Sequence, residues 1–358
     1  MGGTWTSQNK ILPGAYINFL TNAPLSITVG DRGIVVILQE VSKGTKGEMY
    51  RITALDQSEW PASVDDESGL PQGVTAEDKL LANEALKGAQ TVLVYNLGAS
   101  HDGEDVEDAL EVLQTETFNV LCYPYDGAGS ATIKAAIQTW VEAMRDDEGV
   151  KIQAVLANHD ADSEAIINVT QGVKLADDTE LTPAQATAWV AGVTAGAFIN
   201  QSNTGRKYVG AVDVVPRMTK TEMESAVEDG KFIFKVDTAQ NVTAVYDINS
   251  LTTVTTDKGK AFTKNRVVRA IDGINNDITT IFESNYVGKV DNNDDGRSLL
   301  RATLIEYFNE LQRLNAIQNF QPEDVTVSPG AESDAVVIDC YIQPVDSVEK
   351  IYITVNLS

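Results

Sequence analysis

His101 and His159 are the only histidines of this chain, each followed by an aspartate and each placed just after a predicted strand. Open α/β folds present catalytic groups at the carboxyl ends of strands, so either imidazole could serve as base to Ser100, Ser130 or Ser163. No Gly-x-Ser-x-Gly elbow is present, and sequence neighbours such as His101 and Asp102 rarely face each other as a triad needs. Gly127-Ala128-Gly129-Ser130 lies between a predicted strand and a helix start, where backbone N–H groups could hold a phosphate. It lacks the third glycine of a dinucleotide fingerprint and the Gly-Lys-Ser/Thr of a P-loop, and so reads as a turn with Ser130 as helix cap. Asp291 to Gly296 opens like a calcium loop, but the residue where a bidentate glutamate should close the shell is Ala302. An Asx-rich turn ahead of a helix is the simpler reading. Cys122 and Cys340 sit in apolar strand patterns and suggest neither a disulfide framework nor a metal pair. No catalytic, metal or cofactor site is expected.

The basic residues are more informative. Lys258, Lys260, Lys264, Arg266 and Arg269 crowd the start of one C-terminal helix, and Arg297 and Arg301 start the next. Elsewhere acids dominate: 27 Lys plus Arg against 52 Asp plus Glu give a net charge of −25. Such a field repels nucleic acid and anionic membrane. A local basic strip on an acidic subunit suits contact with an acidic partner or another copy of the chain, the alternative being an ordinary solvated face.

With 358 residues, 43% of them hydrophobic, the chain can form two or three domains with real cores. The start shows no basic-then-apolar leader and no run is long enough to span a bilayer, so neither export by a signal nor membrane insertion is expected. Met1 to Leu12 reads as an arm. Short β-rich runs at Ile17–Leu20, Leu25–Val29, Gly33–Val41 and Glu48–Thr53 predict a small sheet, followed by a polar loop over Ser58–Gly73. From Thr75, helix and strand patterns alternate through Ala157, which predicts a mostly parallel sheet covered by helices. Thr182-Pro183-Ala184-Gln185 is a capping box that opens a helix to about Ile199, thin enough through its alanines and glycines to let another element approach closely. Two amphipathic helices and three strands after Asp257 predict a small α+β domain.

The last nine residues, Lys350 to Ser358, alternate strictly: Ile351, Ile353, Val355 and Leu357 on one side, Tyr352, Thr354, Asn356 and Ser358 on the other. Pairing such a strand gains about 0.5–1.5 kcal/mol per hydrogen bond and about 1.5–3 kcal/mol per buried aliphatic side chain. Ordering it costs about 1–2 kcal/mol per residue, so it needs an edge that is already built. That edge is either Ala335–Ile342 of the same chain or a strand of a neighbour.

The segments PGAYINF (Pro13 to Phe19), GDRGIVVILQE (Gly30 to Glu40), TPAQATAWVAGVTAG (Thr182 to Gly196), NRVVRAIDGINNDI and LRATLIEYFNELQRLNAI give the chain, over nearly its whole length, a resemblance to contractile bacteriophage tail sheath proteins. It resembles most the shorter type of Gram-positive prophages and phage-tail-like particles. That resemblance implies α/β and α+β multidomain architecture: an N-terminal linking arm (1–20), a small N-terminal β domain (21–74), a central subtilisin-like α/β domain (75–256), a C-terminal α+β domain (257–349) and a terminal exchange strand (350–358). It implies a structural subunit, not an enzyme, that is assembled in the bacterial cytoplasm, polymerises around a tail tube and contracts to drive the tube through a cell envelope. Tyr16, Ile17 and Phe19, with Ile351, Tyr352, Ile353, Thr354, Val355 and Leu357, would be the arms that complete sheets in adjacent subunits. Implied partners are further copies in a helical homo-oligomer, the tail tube protein, and baseplate and tail terminator proteins, with the C-terminal domain and its basic strip facing the tube. A hydrolase built on the central domain, or a particle decoration that encloses no tube, are the alternatives.

Overall fold

A computed structural model describes residues 32–61, 64–65, 71–72, 74–256 and 258–355. Its centre is a seven-stranded sheet. The first strands are β1 (Ile34–Gln39) and β2 (Met49–Thr53), followed by α1 (Ala76–Leu86), β3 (Thr91–Asn96), α2 (Gly103–Leu113) and β4 (Val120–Cys122). Next come α3 (Ser130–Asp146), β5 (Gln153–Ala157), β6 (Ile166–Val169), β7 (Gly172–Leu175), β8 (Glu180–Leu181) and α4 (Pro183–Ala195). After β9 (Ala211–Val215) and α5 (Lys220–Glu228), the strand β10 (Lys231–Phe232) completes a sheet of order β10-β6-β5-β4-β1-β3-β2. All its neighbours are parallel except the edge pair β2–β3.

Helices cover both faces. Val36, Leu38, Leu93, Leu121 and Leu156 meet α2 and α3 through Val106, Leu110, Ile137 and Val141. On the other face Val35, Ile37, Val92, Cys122 and Val155 meet α1 and α4. Capping boxes start three of the helices, at Thr182 and Gln185 for α4 as the sequence predicts, and also at Thr75 and Asp78 for α1 and at Thr219 and Glu222 for α5. At α3 the cap is Gly129, at φ 92°, and not Ser130, whose hydroxyl instead accepts from the Gly127 N–H at 3.0 Å.

The small β domain expected over residues 21–74 does not account for Ile34–Thr53. β1 lies in the middle of the central sheet, between β3 and β4, and β2 forms its edge. Val35 to Leu38 are buried on both faces of the chain, and only an interior strand of a helix-covered sheet buries consecutive residues that way. Residues 17–29 lie outside the described residues.

The thin helix finds its neighbour within the chain. A Cβ on Gly192 would fall inside the contact distance of the Ala85 carbonyl oxygen on α1, one on Gly196 inside that of Gly88, and one on Gly88 would lie 2.5 Å from Val193 N. Gly192→Ala is therefore expected to force α1 and α4 apart and to destabilise the domain by about 2 kcal/mol or more. An unchanged thermal midpoint would show that the two helices do not depend on this approach.

After β10 the strands β11 (Phe234–Val236) and β12 (Val242–Ala244) form an antiparallel pair. The third region holds α6 (Asn265–Ile281) and α7 (Asp294–Arg313), joined by a π-helical turn at Phe282–Tyr286. The strands β13 (Ile317–Gln318), β14 (Val325–Pro329), β15 (Val336–Cys340) and β16 (Gln343–Pro344) pair as two short ladders, β14–β15 and β13–β16. Its own core gathers Ile274, Leu304, Tyr307, Phe308, Leu311 and Phe320. α6 is locked to the central body by buried polar contacts. Arg145 donates to both oxygens of Asp272 at 2.7 and 2.8 Å and to the Ile152 carbonyl at 2.8 Å. Asn276 accepts from the Lys151 N–H and donates to its carbonyl, and Asn265 donates to Asp247 and to the Ile248 carbonyl.

Candidate assembly interface

The residues suited to catalysis are occupied by structural partners. His101 Nδ1 lies 2.8 Å from Glu40 Oε1 and its Nε2 lies 2.8 Å from the Tyr123 hydroxyl. Both ring nitrogens are thus used, and neither meets a serine. Burial pushes the Tyr123 phenol up. His159 Nε2 lies 2.8 Å from Gln138 Oε1, and its pKa is lowered by burial and by the nearby Lys134 charge. Asp126, next to the Gly127–Gly129 turn, pairs with Lys134 and accepts from Asn158, which sets a carboxylate beside that turn. At the Asx-rich turn Asn293 caps α7 through the Gly296 N–H, while Asn292 donates to the Ser333 and Ala335 carbonyls. Among the described residues no group of three His, Cys, Asp or Glu side chains is placed to hold a metal ion.

The expected basic strip is not one surface. Arg269 is fully buried and donates to the Gln201 and Thr194 carbonyls, 3.5 Å from Asp247. Lys258 pairs with Glu164 at 2.6 Å, Arg266 reaches the Asn315 carbonyl, and Arg297 binds Asp294 and Asn292. Arg301 donates to the Val325 and Pro322 carbonyls, fixing α7 to the start of β14. Lys264 pairs with Glu349, and its ammonium stands 3.5 Å from the centre of the Tyr246 ring. Lys260 remains an exposed cation. In so acidic a chain the cations are spent on local carboxylates and on carbonyls at element ends, so clustering in sequence does not become clustering on a face.

The terminal strand behaves otherwise. Ile351, Ile353 and Val355 are 75%, 79% and 74% exposed and Tyr352 90%, on a molecule whose other large apolar groups are mostly packed. Ile351–Val355 have no partner strand within the described chain, and the anticipated hairpin with Ala335–Ile342 is not formed. Tyr16, Ile17, Phe19 and Leu357 lie outside the described residues.

An open edge is close at hand in the same domain. Among the described residues β15 is paired on one side only, by β14, and its core-facing Val336, Ile338 and Cys340 are half-buried and packed on the third core. Exposed alternating aliphatics and an incompletely covered ladder edge are features that strand addition uses. Sequence alternation finds the first. The second depends on which strand β15 chooses, and no local signal reveals that.

Comparison with known proteins was consistent along the chain. Residues 72–250 match the phage tail sheath protein central domain, residues 257–358 the phage tail sheath C-terminal domain, and residues 32–97 the tail sheath protein Gp18 domain III N-terminal region. The last match runs from β1 to β3 without a break, as their shared sheet requires. The phage-like element PBSX protein XkdK of Bacillus subtilis is 35% identical over 331 residues, 89% of this chain and 70% of that one. The crystal structure of the sheath tail protein from Desulfitobacterium hafniense superposes with a TM-score of 0.82 at 34% identity, covering 95% of this chain and 99% of the other. The anti-feeding prophage helical sheath in its contracted state shares the fold, with a TM-score of 0.70 at 16% identity over 97% and 99% of the two chains.

Proposed function

Because this chain belongs to the phage tail sheath family, we propose that it is a subunit of a contractile sheath, whose copies polymerise around a tail tube and shorten to drive that tube through a cell envelope. The observation that carries the reading is the exposed segment Ile351–Val355, alternating in sequence and without a partner strand among the described residues. We place its partner on the open edge of β15 in an adjacent copy, with the N-terminal arm bearing Tyr16, Ile17 and Phe19 as the second link. Backbone pairing of that kind stays closed while the bodies it joins rotate and slide, which is what a one-way shortening of a lattice requires. The driving energy then comes from body-to-body contacts that improve on contraction, behind a kinetic barrier.

On this reading the chain has no catalytic role, in keeping with a His101 whose two nitrogens are held by Glu40 and Tyr123. Its partners are other copies, a tube protein, and baseplate and terminator proteins, in a phage tail or phage-tail-like particle assembled in the bacterial cytoplasm. Electron microscopy of the purified chain in negative stain is expected to show hollow cylinders. Dispersed single particles at every concentration, or particles decorated without a cylinder, would count against it.

A further inference from the structure

The exposed strand does not simply trail from the last ladder. Between β16 and Ile351 the chain crosses back to the central domain and is fastened there. The Glu349 side chain, 6% exposed, pairs with Lys264 and accepts from the Thr204 hydroxyl at 2.7 Å and the Ser347 hydroxyl at 3.1 Å. Lys264 precedes the first residue of α6 and is sandwiched between that carboxylate and the Tyr246 ring. Thr204 is itself tied in, its hydroxyl accepting from the Asp247 N–H at 3.0 Å, and Asp247 lies 3.5 Å from the buried Arg269 of α6. Two residues after Glu349 the chain is 75% exposed.

The other end of the described chain meets the same helix. Arg32, the first described residue, feels Asp272 and Asp277 of α6, and its Nη1 lies 3.8 Å from where a Cβ on Gly273 would stand. Arg32 thus lies beside α6, the helix whose start is paired with Glu349 through Lys264, and α6 is in turn joined to α3 through Arg145 and Asp272.

We propose that Glu349, Lys264 and Thr204 form a clasp that fixes the root of the C-terminal arm to α6, so that the pull of a neighbouring subunit is delivered to the body of the protein. Without it the pull would fall on β13–β16, a ladder of two residue pairs that opens from its end. Peeling residues 343–349 would release roughly 20 Å of slack at about 3.3 Å per residue. The clasp sets the tether's length, and α6 carries the load into the body. Glu349 and Lys264 are positioning residues that need not touch the neighbour. This proposal rests on the reading that residues 351–355 link subunits.

The test uses the full chain with Glu349→Gln, Lys264→Met and the double variant. In the unpolymerised protein, hydrogen exchange across residues 343–350 is expected to quicken at least about tenfold in each single variant and no further in the double, while the central sheet stays protected. Tubes should still form, but with a broadened axial repeat and with breaks on contraction. Unchanged exchange over 343–350, additive effects in the double variant, or loosened exchange with wild-type repeat and intact contraction would each overturn the clasp. Loss of protection in the sheet of one single variant passes the test to the other. A chain ending at Lys350 serves as control: normal tubes from it would remove the linkage reading itself, independently of the clasp.

Discussion

Removing residues 351–358 is expected to leave a folded subunit that no longer makes tubes. Ile351, Tyr352, Ile353 and Val355 are at least 74% exposed, so their loss uncovers no core of their own subunit, and changes of that kind usually alter stability by no more than about 0.5 kcal/mol. Between subunits the balance is different. Three aliphatic side chains at about 1.5–3 kcal/mol each, with several ladder hydrogen bonds at about 0.5–1.5 kcal/mol each, exceed the ordering cost by a few kcal/mol when the receiving edge is preformed. A net loss of about 3 kcal/mol per contact raises the concentration needed for polymerisation roughly a hundredfold, and a lattice loses that contact at every subunit. Sedimentation and electron microscopy of the truncated chain read both halves of the expectation: a monomer with a wild-type thermal midpoint, and no cylinders. A truncated chain that unfolds would mean that the strand belongs to its own subunit after all.

Asp272→Ala is expected to have the largest effect on the fold. Arg145 and Asp272 are both more than nine-tenths buried, joined by two hydrogen bonds, and burial alone would depress the Arg145 charge were Asp272 not opposite it. Removing the carboxylate strands a guanidinium between α3 and α6, a change that typically costs about 3–5 kcal/mol. Replacing both partners by apolar residues, Arg145→Met with Asp272→Leu, should recover most of that loss, because the penalty lies in the uncompensated charge. Since α6 also holds the root of the arm, the single variant should fail in assembly as well. Hydrogen exchange over Asn265–Ile281 should accelerate by a hundredfold or more, following from about 3 kcal/mol. Protection equal to wild type would place the docking energy of α6 elsewhere, in Asn265, Asn276 or Arg269.

Local signals in the sequence resolve more of the helices than of the sheet. Capping boxes at Thr75, Thr182 and Thr219 and apolar stripes along α6 and α7 are local features, and the helices begin where those residues stand. Strand placement is not local. Ile34–Gln39 is the same apolar run whether it serves a small sheet or the middle of a large one, and its neighbours, Thr91–Asn96 and Val120–Cys122, are distant in sequence. Cations were visible as a cluster of residue types, but the fate of each depended on acids and carbonyls far along the chain, as Glu349 is for Lys264 and Asp247 for Arg269. The terminal strand was legible for the opposite reason. The alternation is local, and Ile351–Val355 stand exposed with no partner strand among the described residues; a strand there is what a neighbouring copy would have to complete.

Electron cryomicroscopy of the assembled polymer, at a resolution that traces the main chain, tests the central claim most directly. The account predicts that density for Ile351–Val355 leaves its own subunit after Glu349 and runs beside Val336–Cys340 of an adjacent one. Density that turns back to pair within the same subunit would contradict it.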